Sequence, residues 1–520
     1  MDNPIILNTQ EATLRRLLLD VANHAHVTDN CERPVLRFAG GWVRDKLLGS
    51  TSPDIDVGID NMTGARFGEC LERYLKHHAH AEYPADVKLA KIKANPEKSK
   101  HLETAHTKLL GLEVDLVNLR KETYTQDSRN PIVEFGSPNE DALRRDATIN
   151  ALFYNLSTEM VEDFTKRGIQ DLRSKLIKTP LSPLETFKDD PLRILRAIRF
   201  ASRLRFQIDP GDKQAMTNHT IKEALIAKIT RERVGIEVMK MLKGPNAQVA
   251  LALLDGLSLY NSVFTTTDYG PVETSGWSRA YLTLHYISEA DDLDEKHLSA
   301  KIIKKLLLRD ADDTYLAWTM TCFIPWGRIA PRNTLGSTTK RVPSPASLAA
   351  KDGIKADNRI TKLIDDAVFH LQDIIAQRST NVQDETLTTS PLKRKFSTNL
   401  RVSQGQAIRR WGGQWRACVI FSLMTECSEL PSDQDVQLLL RQYAAWLEKL
   451  QTLDLLDVDQ LKPLASGDQI AAVFPRAKKG SWMKKALDIV VEWQLRNPGA
   501  TDVEQAIEEV KHRARELFPP

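Results

Sequence analysis

Cysteine is scarce: five among 520 residues, at positions 31, 70, 322, 418 and 427, an odd number with no Cys-x-x-Cys pair. That spacing argues against a disulfide framework or a thiolate zinc site, and predicts free thiols in a reducing compartment. No apolar run is long enough to span a bilayer, so no membrane partner is expected. An excess of one charge is also lacking. Lys plus Arg number 72 and Asp plus Glu 69, a net charge of +3. This excludes a uniformly basic coat and leaves any nucleic-acid contact to local patches. The opening Met1-Asp2-Asn3-Pro4 has neither the basic start of a secretory signal nor the Arg-rich, acid-poor look of a presequence. A cytosolic or nuclear form is expected, and a mitochondrial form would use another start. The length suffices for about three or four domains, each with its own core.

The most informative stretch is GGWVRDKLLGSTSPDIDVG, residues 40–58. Gly40 and Gly41 allow unusual backbone angles and close approach of another group. Trp42 to Leu48 reads as a short helix with Val43, Leu47 and Leu48 on one side. N–H groups at such a helix start favour an anion, typically a phosphate. Gly49 ends the helix and Ser50–Pro53 makes a turn. Asp54-Ile55-Asp56-Val57 then alternates as a strand, so both aspartates face one way and Ile55 and Val57 face the core. Two adjacent carboxylates repel unless a cation lies between them, and Mg²⁺ suits hard oxygens shared with substrate phosphates. A solvated Asp pair after a glycine turn is the plainer alternative, but the combined spacing is far more specific than a bare D-x-D.

Around this stretch the pattern is α+β. Residues 8–25 read as a helix with Leu14, Leu17, Leu18, Val21 and Ala22 on one stripe. Val35–Phe38 reads as a strand, and Ala65–His80 as a helix ending in His77, His78 and His80, which a solvated helix end explains better than a metal site. Residues 86–111 carry six lysines and Asn95-Pro96, the composition of a mobile basic loop between strands or of an ordinary surface loop. Residues 111–120 alternate as a strand, with Asp115 the candidate third carboxylate and Glu113 the alternate. DALRRDATINALFYN, residues 141–155, reads as a helix or turn-helix in which Arg144 and Arg145 can hold phosphates and Asp146 can accept from a ribose hydroxyl. A salt-bridged helix start is the other reading.

DDPLRILRAIRFASRLRF, residues 189–206, carries an apolar stripe and, beside it, Arg193, Arg196, Arg199 and Arg203 at helical spacing. Four like charges on one helix face cost stability unless something anionic answers them. Asp190 and Arg193 are one turn apart, and a planar Arg beside an Asp can read a base edge. Beyond residue 206 the chain reads as mostly helical, including 229–244. Residues 327–357 and 378–407, rich in Ser, Thr, Pro and Lys, read as surface insertions or linkers. The tail mixes Trp with basic residues, as RNA contacts or plain helix packing would require.

GGWVRDKLLGSTSPDIDV, RRDATIN and DDPLRILRAIRF resemble, in order and spacing, the signature motifs of class II tRNA nucleotidyltransferases, the CCA-adding enzymes. NPEKSKHLETA and GSWMKKALDIVVEWQLRNP resemble the eukaryotic, fungal-type members. The resemblance implies a nucleotidyltransferase head at 1–175, with a small β-sheet and flanking helices. All-α parts follow: a base-reading neck at 176–245, a body at 246–326, an insertion or linker with room for a helix at 327–407, and a tRNA-binding tail at 408–520. It implies that Asp54 and Asp56 bind two Mg²⁺ ions and that Asp115 lies near the attacking hydroxyl. Gly40, Gly41 and Arg44 would hold the triphosphate. Arg144, Arg145 and Asp146 would contact the nucleotide, with Asp45, Asn150 and Arg196 in the same binding set. Asp190 and Arg193 would act as an amino-acid template for C and A, and the basic loop would switch the pocket between them. The family usually has Glu at the position of Asp189, so the orientation of Arg193 is open to alteration. The implied partners are tRNA, CTP and ATP; the oligomeric state is not implied. Bacterial poly(A) polymerases share the three motifs and are the main alternative, and a noncatalytic RNA-binding protein is a further one.

Overall fold

A computed structural model describes residues 5–52, 54–78, 83, 90–92, 104–125, 128–291, 297–332, 341–382, 390–475, 477 and 480–518. The chain divides into two units, Met1–Val263 and Phe264–Pro520. The expected boundaries near 175 and 245 fall inside the first unit, and those near 326 and 407 inside the second.

The first unit opens with α1 (Thr9–Thr28), started by a reciprocal cap between Asn8 and Glu11. Its stripe Leu14, Leu17, Leu18, Val21 and Ala22 is buried, as the spacing predicts. There follow β1 (Leu36–Ala39), α2 (Gly41–Leu47), β2 (Asp54–Ile59), α3 (Gly64–His78), β3 (Ala90–Ile92), β4 (Thr104–Leu109), β5 (Leu112–Asn118), β6 (Arg120–Thr125), β7 (Ser128–Phe135), α4 (Pro138–Leu143), β8 (Phe153–Asn155) and β9 (Val161–Glu162). Seven strands form one sheet in the order β3-β4-β5-β2-β1-β8-β9. β2 and β5 are its parallel pair; the other pairings are antiparallel. A parallel pair needs a crossover, and α3 lies within it. The approach is close: a Cβ on Gly64 would sit 1.8 Å from the Leu116 carbonyl oxygen.

Two local expectations are corrected. The apolar run after Asp146 is not helical. Thr148–Asn150 is a single 3₁₀ turn, and Phe153–Asn155 becomes β8, paired with β1. An apolar run fully buried in a sheet has no helical period to read. The supposed loop 86–111 contains β3 and β4, while residues 84–89 and 93–103 lie outside the described residues. His80 does too; His78 stacks on Tyr74 with ring centroids 4.3 Å apart.

The rest of this unit is helical apart from the short parallel pair β10 (Leu176–Ile177) and β11 (Gln207–Ile208): α5 (Gly168–Arg173), α6 (Pro183–Asp189), α7 (Leu192–Leu204), α8 (Pro210–Met216), α9 (His219–Lys228), α10 (Arg231–Leu242), α11 (Ala247–Gly256) and α12 (Tyr260–Val263). On α7 the arginine stripe is neither a solvated face nor uncompensated. Arg193 lies 3.7 Å from Glu122, Arg196 2.6 Å from Asp146, Arg199 2.6 Å from Glu237, and Arg203 3.3 Å from Asp45. The four acids come from β6, the turn after α4, α10 and α2, which is why none was visible within the helix's own sequence.

The second unit is helical among its described residues, and no described helix is long and apolar enough to cross a membrane. The insertion expected at 327–407 is corrected. It holds helices Pro345–Ile354 and Asn358–Val382 and most of Ser390–Trp411. Ala346, Ala349, Ala350, Ile360, Ile364, Ala367 and Ile374 are buried. These residues recur at helical spacing in Pro345–Ile354 and Asn358–Val382. In the tail, Trp411, Trp415, Trp482 and Trp493 are buried, so packing, not base stacking, accounts for them.

Gly64→Ala is expected to destabilise the first unit by about 3 kcal/mol, because the Leu116 carbonyl must move. A melting temperature equal to wild type would show that α3 can lift off β5 freely.

Candidate active site

The β2–β5 register sets Asp56 directly beside Asp115, and Asp54 beside Glu113. Asp54, Asp56 and Asp115 are solvent-accessible, while Ile55, Val57, Val114 and Leu116 are buried beneath them. Three carboxylates therefore share one sheet face, two on one strand and one on its neighbour. The protein crowding Asp56 raises its carboxyl above the usual range; Arg145 opposes this, and Asp115, Asp54 and Asp141 add to it. β4 brings in His106, opposite Asp115. Its Nδ1 lies 2.7 Å from an Asp115 oxygen and its Nε2 3.2 Å from Glu113. The hydrogen bond to Asp115 is the main reason its pKa rises. Sequence reasoning misses His106, because the strand that carries it reads as loop.

β1 ends in Gly40, whose φ of +65° favours glycine. A Cβ there would lie 2.7 Å from an Arg145 nitrogen. The chain then enters α2, which buries Trp42, Val43, Arg44 and Asp45 and leaves Leu48 exposed. Of the expected face of Val43, Leu47 and Leu48, Val43 is buried, Leu47 half-buried and Leu48 exposed. A charged pair can face inward because its members answer each other. Arg44 Nε donates to Asp45 at 2.8 Å, and Arg44 Nη1 donates to the Asn150 side-chain oxygen at 2.5 Å. Burial lowers the pKa of Arg44, against the pull of Asp45. Gly41 opens this helix and lies against Arg44.

Arg144 and Arg145 are gripped by one buried carboxylate, Asp141, at 2.5 and 2.9 Å. Burial pushes the Asp141 pKa up, but the two guanidiniums outweigh it and hold the group below its ordinary range. Arg144 also reaches Glu122 at 3.1 Å, and Arg145 donates to the Asn150 carbonyl at 3.1 Å. Asp146 accepts from Arg196 at 2.6 Å and from the Asn150 amide at 3.0 Å. Against its burial, these partners hold Asp146 at about 2.

Asp190 and Arg193 stand at the start of α7, joined by an Arg193 N–H to Asp190 carbonyl bond of 3.0 Å. Their side chains take different partners. Asp190 accepts from Arg233 of α10 at 3.3 Å and from the Leu192 N–H at 3.1 Å, while Arg193 lies near Glu122. Burial raises the pKa of Asp189, and Arg193 opposes the rise. Asp141 was missed although its signal was present: Arg144 and Arg145 follow it at i+3 and i+4. Glu122 and Arg233 had no such local sign.

A seven-stranded head with an acidic sheet face and an arginine-lined edge defines a nucleotidyltransferase of the poly(A) polymerase type. Residues 36–178 match the Poly A polymerase head domain, and 205–269 match the probable RNA and SrmB-binding site of polymerase A. The chain is 38% identical to Nucleotidyltransferase lcsQ of Purpureocillium lilacinum, covering 99% of this chain and 93% of that one. It is 36% identical to the CCA tRNA nucleotidyltransferase, mitochondrial, of Saccharomyces cerevisiae, covering 96% and 93%. Its fold is that of the Thermotoga maritima CCA-adding enzyme solved with tRNA, at a TM-score of 0.56 and 18% identity over 98% of this chain and 96% of that one. The chain belongs to the CCA tRNA nucleotidyltransferase family.

Because the Asp146 pKa is depressed, its contribution to stability is present above the unfolded carboxylate range and is lost as pH falls through its folded value. Asp146 should therefore supply about 2 kcal/mol at neutral pH that disappears between roughly pH 5 and 2. Urea unfolding of wild type and Asp146→Asn across that range should converge at the acid end; parallel curves would contradict this.

Proposed function

We propose that this protein adds C, C and A to the 3′ end of tRNA from CTP and ATP, releasing pyrophosphate, without a nucleic-acid template. The observation that carries this reading is the Asp56–Asp115 register, which gathers three carboxylates on the face next to the glycine turn. Full-length similarity to a CCA tRNA nucleotidyltransferase supports it over poly(A) synthesis.

Among the described residues no group of three or more His, Cys, Asp or Glu is arranged to hold a metal by itself. The donor set nonetheless fits Mg²⁺, which typically takes one or two carboxylates and completes its shell with water and substrate phosphates. Asp56 is raised first by the protein packed around it and then by the nearby Asp115 and Asp54, against the pull of Arg145. Asp54 and Asp56 would hold the metal. Bound there, Mg²⁺ supplies charge stabilisation for pyrophosphate departure and acidifies the RNA 3′-hydroxyl. Asp115 stands next to Asp56 where that hydroxyl would approach. Gly40 and Gly41 let phosphates come close to the main chain, and Arg44, with Asp45 behind it, faces their far end. Arg144 and Arg145, held in one geometry by Asp141, are aligned for the nucleotide. Asp146 is oriented by Arg196 and Asn150 toward the ribose. Asp190 and Arg193 would exchange their contacts with Arg233 and Glu122 for the edge of cytosine or adenine. A guanine or uracil would leave these polar groups without partners in a dry site.

The Saccharomyces relative is named a mitochondrial enzyme, and we place one pool of this protein there, the rest in cytosol or nucleus.

The deciding assay uses tRNA lacking its last three nucleotides with Mg²⁺. CTP alone should add two residues, and CTP with ATP three; long ladders with ATP alone would instead indicate a poly(A) polymerase. In the same assay Asp54→Ala or Asp56→Ala should lower turnover roughly 10³-fold while tRNA binding persists. Near-normal turnover would remove those residues from the metal site. Arg193→Ala should admit GTP or UTP; slower extension with the C and A preference intact would refute base reading by Arg193.

A further inference from the structure

The contacts of α7 close a circuit. Arg203 reaches Asp45 at 3.3 Å, Asp45 holds Arg44 at 2.7 Å, and Arg44 donates to Asn150 at 2.5 Å. Asn150 donates to Asp146 at 3.0 Å, and Asp146 is held by Arg196 at 2.6 Å. The circuit thus leaves α7 at Arg203 and returns to it two turns earlier. Phe200 lies between these ends. The guanidinium carbons of Arg44 and Arg196 are each 5.5 Å from its ring centroid, and Phe200 is buried. Five of the six polar members belong to the stretches that carry the nucleotide-binding reading. Arg203 is the sixth. Its side chain is 48% exposed, whereas that of Asp45 is 4% exposed and that of Arg44 3%.

We propose that Arg203 is a positioning residue for the incoming nucleotide, acting through Asp45 on Arg44. Asp45 is a small carboxylate between two arginines. With Arg203 present, one of its oxygens is drawn toward α7 and the other toward Arg44, which fixes the plane in which Arg44 lies. Without Arg203, Asp45 can rotate fully onto Arg44, and the Arg44 guanidinium loses its fixed direction over Phe200. A charge-assisted hydrogen bond depends steeply on direction, so the consequence falls on whatever Arg44 binds. The inference rests on the proposed function in that Arg44 is taken to face the triphosphate. The triphosphate is common to CTP and ATP, so both should be affected alike, and the choice between bases should not change.

The test compares Arg203→Gln, Arg203→Lys, Asp45→Asn and the double variant Asp45→Asn/Arg203→Gln in extension of tRNA lacking its terminal nucleotides. Arg203→Gln should raise KM for CTP and for ATP about tenfold, the scale of one coupled charge pair, with kcat within about twofold and an unchanged melting temperature. Arg203→Lys, which can still place a charge against the single Asp45 oxygen, should restore KM. The double variant should be no worse than the poorer single. A merely structural role would lower the melting temperature and the active fraction, hence kcat, and leave KM where it was; that result overturns the proposal. So do additive losses in the double variant, and so does failure of lysine to rescue. Equilibrium binding of CTP by wild type and Arg203→Gln is measured in parallel. An unchanged Kd overturns the circuit even where wild type extends tRNA normally, and a tenfold weaker Kd supports it even where wild type extends none.

Discussion

The constraint on which the first unit depends is that four arginines on one face of α7 must be neutralised by acids from elsewhere in the chain. At helical spacing these charges repel one another. They are tolerated because β6, the turn after α4, α10 and α2 each deliver one carboxylate. Ion pairs with a buried member return little net stability once desolvation is counted, but a misplaced docking would leave a buried carboxylate without its arginine. Their value here is selectivity of geometry. The observed seating of α7 satisfies all four, with Asp190 and Arg193 at its start.

Charge in this unit is sorted as well as balanced. Asp141 and Asp146, away from the β2–β5 face, are each held by arginine below their ordinary pKa range. On that face the balance reverses, and Asp56 is pushed above it. Arginine locks the first two in place, whereas burial first, and neighbouring carboxylates second, disfavour the charge on Asp56.

Much of the site was legible because its key residues obey short-range periodicity. Asp54 and Asp56 share a face by strand alternation, and the same rule placed Asp115 and Glu113 together. Asp115 is the candidate and Glu113 the alternate, and the register sets Asp115 beside Asp56 and Glu113 beside Asp54. The Asp141 grip on Arg144 and Arg145 was written in helical spacing and was overlooked. Glu122 and Arg233 were not legible at all, because their partners lie far away in sequence and β6–β7, with Pro131 in its second strand, does not announce itself. The inward turn of Arg44 and Asp45 was likewise hidden: a polar pair reads as surface until Asn150 and Arg203 are seen to meet it. In the second unit, Ile360, Ile364, Ala367 and Ile374 lie between the two Ser- and Thr-rich stretches, and their apolar spacing was there to be read.

The parallel seating of β5 beside β2 has a consequence for how the head comes into being. During synthesis Asp54 and Asp56 emerge well before Asp115, which follows after the α3, β3 and β4 excursion. Closing so long an excursion is entropically slow compared with forming a hairpin. The strand that completes the acidic face is thus a late arrival, and its insertion buries Val114 and Leu116 in the same motion. The repulsion that Asp115 adds beside Asp56 is imposed only when that burial is available to offset it. A nascent or partly folded head consequently has no gathered cation-seeking face, and readiness for metal coincides with completion of the sheet.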